Sequence, residues 1–246
     1  MKRNCANLAT LGESGEFPIL LNGLVSLLTF WHRSVTQMEE NTLIYRSMQY
    51  VSREESSQSE WFATVKCLLK ELNMNNYLLD PTISSTDNFK TICMTELKNL
   101  FNQFWMTTVM NQEDGCKLRF YKQFKTEPGR EPYLDLINNY HLRQTITKFR
   151  CSDHRLEIEL GRHNKTKLEE RICKICHGPI ESEIHFLTEC PLYRKFRIKY
   201  LGLDIRESWM NIIQCKDIDT AYNLANFLNK SSELRKRMLD MRAYFN

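Results

Sequence analysis

Glycine and proline are scarce in this chain, at 8 and 6 of 246 residues. The shortage argues against a turn-rich β-sandwich and for long regular elements, so a mainly α fold is expected. Long apolar runs are missing as well. The best of them, FPILLNGLVSLLTFW at residues 17–31, is interrupted by Asn22 and Ser26 and falls short of the roughly 20 residues that span a bilayer. The opening MKRNCANLAT is basic, but Glu13 and Glu16 precede the apolar run and no small-residue cleavage site follows it. The expectation is a buried helix in a soluble nuclear or cytoplasmic protein with no membrane partner. The cysteines form no disulfide pattern. They number nine, and Cys5, Cys67, Cys93, Cys116, Cys151 and Cys215 lie far apart, so these six read as reduced, buried thiols.

What the chain does contain is enough apolar material, 42% of residues with 11% aromatic, for one sizeable core or two smaller ones. In SEWFATVKCLLKEL, Trp61, Phe62, Val65, Leu68, Leu69 and Leu72 fall on one helical face, with Ser57 or Ser59 as cap. The segment DNFKTICMTELKNLFNQFWMTTV repeats the pattern through Phe89, Ile92, Cys93, Leu97, Leu100, Phe101, Phe104 and Trp105, after a start signal at Ser84 or Ser85. Shorter helices are expected near 19–35 and 41–52, and REESSQSE at 53–60 is the best linker. Gly115 closes this block. PYLDLINNYHLRQTITKFR then reads as two short helices, HRLEIELG alternates Leu156, Ile158 and Leu160 as a half-buried strand does, and KLEERICKIC would supply the returning strand. A last amphipathic helix is expected over about 217–243, around Leu224, Phe227, Leu228, Leu234 and Met238.

The pointed feature is CKICHGPIESEIHFLTEC. Cys173, Cys176, His185 and Cys190 follow C-x2-C-x8-H-x4-C, four ligand types of the kind a tetrahedral Zn2+ prefers, with Gly178 easing the turn after the first pair. A short helix would carry His185, and Pro191 pushes Cys190 out of the helical region so that it closes the shell. Three sulfurs and one imidazole leave no place for a catalytic water, so the ion would be structural. The plain alternative is a cysteine-rich loop with no metal. His177 could replace His185 only by coordinating immediately beside Cys176, a strained arrangement.

CSDHRLEIELGRHNKTKLEERICKICHGPIESEIHFLTECPLYRKFR resembles the segment that follows the reverse transcriptase domain in non-LTR (LINE-type) retrotransposon proteins, including its CCHC zinc knuckle. The specific part is about 141–197, with weaker likeness back through FPILLNGLVSLLTFWHR and forward to the last helix. The resemblance implies that Cys173, Cys176, His185 and Cys190 are the knuckle ligands and that the region contacts nucleic acid. It does not imply polymerase activity. Reverse transcription needs paired carboxylates to hold magnesium, carried in the family as adjacent aspartates, and this chain has no adjacent pair of aspartates. The likeness is to a non-catalytic C-terminal part of such a protein.

Charge agrees with that direction. Residues 1–140 hold 14 Lys+Arg against 16 Asp+Glu, whereas residues 141–200 hold 13 against 8, so the positive excess lies around the cluster. Arg143, Lys148, Arg150, Arg155, Arg162, Lys165, Arg194, Lys195, Arg197 and Lys199 are the candidate nucleic-acid contacts. In YRKFRIKY the basic residues alternate with Tyr193, Phe196 and Tyr200, a mixture that meets phosphates by charge and unpaired bases by stacking; the equal alternative is that the aromatics pack inward and leave a solvated basic face. His154 reads as a phosphate contact or as a hydrogen-bonded histidine, Arg162, His163 and Lys165 as a hairpin turn, and His32 and His141 as structural. No catalytic residues and no small-molecule substrate are expected. The whole is read as a helical region at 1–130, a zinc-containing α+β nucleic-acid-binding module at 131–205 and a helical tail at 206–246, binding RNA or single-stranded DNA. The competing reading is a zinc-stapled protein whose helical faces, within the net-negative first 140 residues, bind a protein partner.

Overall fold

The computed structural model describes residues 2–52, 59–111, 116–202 and 205–245. The linker expected at 53–60 and the stop at Gly115 fall wholly or largely outside these residues. Twelve α-helices are described: α1 Lys2–Ser14, α2 Ile19–Thr36, α3 Leu43–Ser52, α4 Glu60–Glu71, α5 Asn76–Leu79, α6 Thr86–Met110, α7 Tyr133–Leu136, α8 Tyr140–Arg150, α9 Glu157–His163, α10 Arg194–Tyr200, α11 Trp209–Gln214 and α12 Ile218–Phe245. No strand occurs among the described residues, and the only sheet-like pairing among them is an isolated antiparallel bridge between Ile172 and Ile180. The mainly α expectation therefore holds, and the α+β module does not appear. HRLEIELG is helical because Glu157 and Glu159, which an alternating strand would turn to water, are themselves buried. No described helix is long and apolar enough to cross a membrane.

The chain divides into two compact units, residues 17–104 and residues 1–16 with 105–246. The helical region expected at residues 1–130 is thus shared between them.

In the 17–104 unit, α2 presents Leu21, Val25, Leu28, Trp31 and His32 inward and leaves Ile19 and Leu20 exposed, so the run expected to be buried is amphipathic. His32 stacks on Phe89 of α6 with ring centroids 4.3 Å apart. Its Nε2 donates to the Pro81 carbonyl at 2.9 Å, which leaves Nδ1 to accept from the Thr86 hydroxyl at 3.1 Å. Burial lowers its pKa, and the imidazole stays a neutral part of the core. Ser59 caps α4 by accepting from the Phe62 amide at 3.4 Å. Along α6 the buried residues in this unit are Phe89, Cys93, Leu97 and Phe101, one every fourth position, a spacing that Trp105 and Val109 continue beyond its end, while Leu100 and Phe104 are exposed. At 3.6 residues per turn such a stripe winds around the helix instead of running straight, which is why a straight amphipathic face misplaces those two. Cys67 is exposed, contrary to expectation, whereas Cys93, Cys151 and Cys215 are buried and Cys116 is half-buried; the side chain of Cys5 lies outside the described residues.

In the other unit, α8 lies along α12, with α7, α10 and α11 packed on the same long helix. Its core is an aromatic chain in which Phe120, Phe149, Phe186 and Phe227 follow one another at centroid distances of 5.7–5.8 Å, with Tyr193 4.5 Å from Phe186. Beside this chain sits a fully buried cation. Arg150, expected as a nucleic-acid contact, is 0% exposed and donates to both carboxylate oxygens of Glu13, at 2.8 and 2.9 Å, to Glu131 at 2.6 Å and to the Ile213 carbonyl. The rings of Phe124 and Tyr133 flank its guanidinium, and Lys125 pairs with Glu131. Tyr133 donates to Glu13 at 2.7 Å. Removing one member of such a group leaves the others charged, buried and unmatched. Arg150→Met is expected to cost about 3–5 kcal/mol in urea unfolding, with Arg150→Lys recovering only part because an ammonium cannot make the forked contact. A loss under 1 kcal/mol would show that Glu13 and Glu131 are relieved in another way.

Candidate metal centre

Cys173 and Cys176 lie in the turn after the short 3-10 segment Leu168–Glu170, and His185 opens the π-helical turn His185–Glu189. The ligand atoms of Cys173, Cys176, His185 and Cys190 all lie within 4.8 Å of one another, and Cys176 Sγ is 3.4 Å from His185 Nε2. A tetrahedral ion bonded at about 2.3 Å to sulfur and about 2.0–2.1 Å to nitrogen requires similar spacing, so the four residues could hold one metal ion. His177 lies outside the group and is exposed, which settles the histidine in favour of His185.

Local backbone explains why these four meet. His177 has φ 53°, and its amide donates to the Cys173 carbonyl at 2.9 Å, closing the turn that aims both sulfurs the same way. Amides of Ile175 and Cys176 donate to the Cys173 sulfur, that of Gly178 to Cys176 and that of Leu192 to Cys190. A Cβ on Gly178 would stand 3.3 Å from Cys176 Sγ, so glycine keeps the amide close to the sulfur it serves. On an ordinary α-helix, five residues at 100° each would leave His185 and Cys190 about 140° apart. The π turn, with the Cys190 amide donating to the His185 carbonyl at 2.9 Å, makes five residues close to one full turn and brings both ligands to one side. Cys190 then leaves the helix at φ −53°, ψ 122°, as Pro191 demands.

The electrostatics suit a cation. Cys173 is pushed down to about 3, chiefly by the hydrogen bond it receives from Cys190, whose own thiol goes up in exchange. Burial pulls His185 down, but hydrogen bonds to Cys173 and Glu189 carry it above its ordinary value. Glu189 Oε2 accepts from His185 Nδ1 at 3.2 Å, which fixes the tautomer that leaves Nε2 facing the three sulfurs.

Buried charges that sequence reasoning missed surround the centre. Glu181 is fully buried and accepts from Arg235 of α12 at 2.7 and 2.6 Å; it also takes the Glu157 amide at 2.8 Å and lies 3.8 Å from Cys173 Sγ. Glu183 accepts from Arg119 at 2.7 Å, Ser152 at 3.1 Å and His154 at 3.0 Å, so His154 is a hydrogen-bonded histidine. Arg119 also pairs with Glu159, which in turn holds Arg162 at 2.7 Å. Arg171 donates to the Ile158 and Thr166 carbonyls across the space that a side chain at Gly161 would fill.

The remaining sequence-predicted contacts divide. Lys148, Arg155, Lys165, Arg194, Lys195 and Lys199 are exposed. Arg143 is half-buried and donates to the Leu134 carbonyl at 3.1 Å, while Arg162 stands at the end of α9 in its pair with Glu159 and not in a hairpin. Arg197 is buried beneath the metal turn, donating to the Leu187 carbonyl at 2.6 Å and to Cys190 at 3.0 Å. With Arg150 it leaves the set of free surface cations, because each occupies the inward face of its helix. Tyr193 is buried, and Phe196 and Tyr200 are half-buried.

Comparison with family models, with curated proteins and with solved structures returned no match.

Metal removal has a directional expectation. Protons compete with the ion for the three sulfurs and the imidazole, so bound metal is released as pH falls. Cys176→Ser should bind metal far more weakly and raise amide exchange across 171–193, with residues 17–104 keeping their protection. Loss of protection throughout the chain would show that the two units do not unfold independently.

Proposed function

We propose that the chain is a non-catalytic nucleic-acid-binding protein, in which a structural Zn2+ at Cys173, Cys176, His185 and Cys190 holds a basic surface against RNA or single-stranded DNA. The observation that carries this is the convergence of the four donors. Thiolates with one imidazole suit zinc better than hard cations, and four protein ligands leave the ion closed to chemistry. Immediately after the last ligand, α10 carries Arg194, Lys195 and Lys199 on its exposed side with Phe196 and Tyr200 half-buried beside them. Exposed Lys148, Arg155 and Lys165 extend the positive character along the preceding segment. Charge of this kind binds phosphate without sequence preference, and the adjacent rings add stacking for unpaired bases. The resemblance to the post-polymerase segment of LINE-type proteins supports the same reading, and a nuclear or cytoplasmic setting follows from it.

A second reading rests on the 17–104 unit. Ile19, Leu20, Leu43 and Leu79 are all more than half exposed there, and such apolar surface would serve a protein partner.

Filter binding with labelled single-stranded RNA and DNA across a salt series tests the first reading. The zinc-loaded chain is expected to bind at low salt and to lose affinity with a slope of about −0.7 per phosphate neutralised. Charge reversal at Arg194 and Lys195 should abolish binding without releasing metal. A flat salt response, or no binding at low salt, rejects the proposal and leaves the protein-partner reading.

A further inference from the structure

One cleft of about 290 Å³ sits beside the metal turn, lined by Arg194, Arg197 and Arg206 together with Pro191, Ile198 and Ile205. Three guanidinium groups share it, against a single acidic side chain in the lining, Glu189, whose Oε2 is already engaged with His185. Arg197 forms a fixed wall: two of its nitrogens are tied to the Leu187 and Cys190 carbonyls, so its position is set by the metal turn itself. Arg194 and Arg206 are exposed at the rim. Like charges held around one cavity repel. An anion seated between the groups removes that repulsion.

We propose that this cleft binds one phosphate group of a nucleic-acid backbone, clasped by Arg194 and Arg206 against the wall that Arg197 provides. The assignment rests on the nucleic-acid reading above and gives it an address. Phosphate fits better than a carboxylate for two reasons. A backbone phosphodiester carries its two charged oxygens on a tetrahedral centre, so that guanidinium groups on different sides of the cleft can each reach one, whereas a planar carboxylate is satisfied by a single arginine fork. The apolar wall of Pro191, Ile198 and Ile205 also offers a sugar a dry surface and offers an acidic side chain nothing. Arg206, absent from the sequence-predicted contacts, becomes a principal one. Since Arg197 hangs from Cys190 and Leu187, the metal turn sets the geometry of the cleft.

The test uses the full zinc-loaded chain and a labelled twelve-nucleotide polyuridine RNA. Arg194→Gln with Arg206→Gln is expected to weaken binding at least roughly tenfold, the loss of hydrogen bonds to a charged group. The salt slope should fall by about 0.7, the share of one phosphate. Lys70→Gln with Lys90→Gln, exposed positions of the 17–104 unit that belong to none of the proposed contacts, is the control, and zinc content and circular dichroism verify that both variants fold. Equal loss in both pairs, or none in the arginine pair, overturns the cleft while leaving nucleic-acid binding in place. In a second arm, inorganic phosphate is titrated while the side-chain NεH resonances of Arg194 and Arg206 are followed by NMR. Saturable shifts at both arginines support the cleft even if the RNA does not bind, in which case only the nucleic-acid reading fails. No shifts together with no RNA binding removes both. Displacement of the RNA by polyglutamate as readily as by phosphate at equal ionic strength would assign the cleft to an acidic protein and overturn the proposal.

Discussion

The Glu181 carboxylate joins three parts of the larger unit. It is fully enclosed, and it spends its two oxygens on the Arg235 fork of α12, on the amide that starts α9 and on the neighbourhood of Cys173. A carboxylate in that position costs several kcal/mol of lost hydration, which only near-complete hydrogen bonding offsets. The arrangement therefore contributes orientation more than net stability. Where α12 lies, where α9 begins and where the first sulfur points are one constraint rather than three. Glu183, two residues on, repeats the device toward Arg119 and His154, so that the segment between the two ligand pairs is anchored on both sides.

That anchoring places the candidate metal centre inside the fold. Phe186 and Leu187, next to a ligand, are nearly inaccessible, and Phe186 is the middle ring of the aromatic chain that runs from Phe120 to Phe227. A free-standing zinc knuckle has no core and is ordered by its ion alone. Here the four donors are set in place partly by burial of their neighbours, so an ion bound there would complete a shape that apolar packing and ion pairs have already approached. The division of labour among arginines follows. Arg119, Arg150, Arg171, Arg197 and Arg235 serve the interior, and the positive charge left for a ligand is smaller and more localised than a tally along the chain suggests.

Much of this was legible in sequence, for identifiable reasons. Helices α2, α3, α4, α6, α8 and α12 follow from apolar periodicity, and the cap at Ser59 from its chemistry, because these signals are local. The convergence of Cys173, Cys176, His185 and Cys190 was legible because metal chemistry restricts residue type and spacing together. The strands expected at HRLEIELG (154–161) and KLEERICKIC (167–176) were misread because the alternation of Leu156, Ile158 and Leu160 with glutamates carries no mark saying whether a charge is solvated or paired. Glu159 finds Arg119 across 40 positions and Arg150 finds Glu13 across 137, distances at which no window of sequence holds both partners. The same blindness placed Arg150 and Arg197 on the surface and left Arg206 unnoticed.

The loosened winding between His185 and Cys190 makes chain length there a ruler. An ordinary helix forgives a residue gained or lost, because its side chains slip by a hundred degrees and neighbours repack. This turn cannot, since its extra residue is what cancels the angular offset between imidazole and sulfur. Adding or removing one position among 186–189 would preserve every ligand by name and still aim two of them past each other, so this stretch should drift by substitution and never by indel.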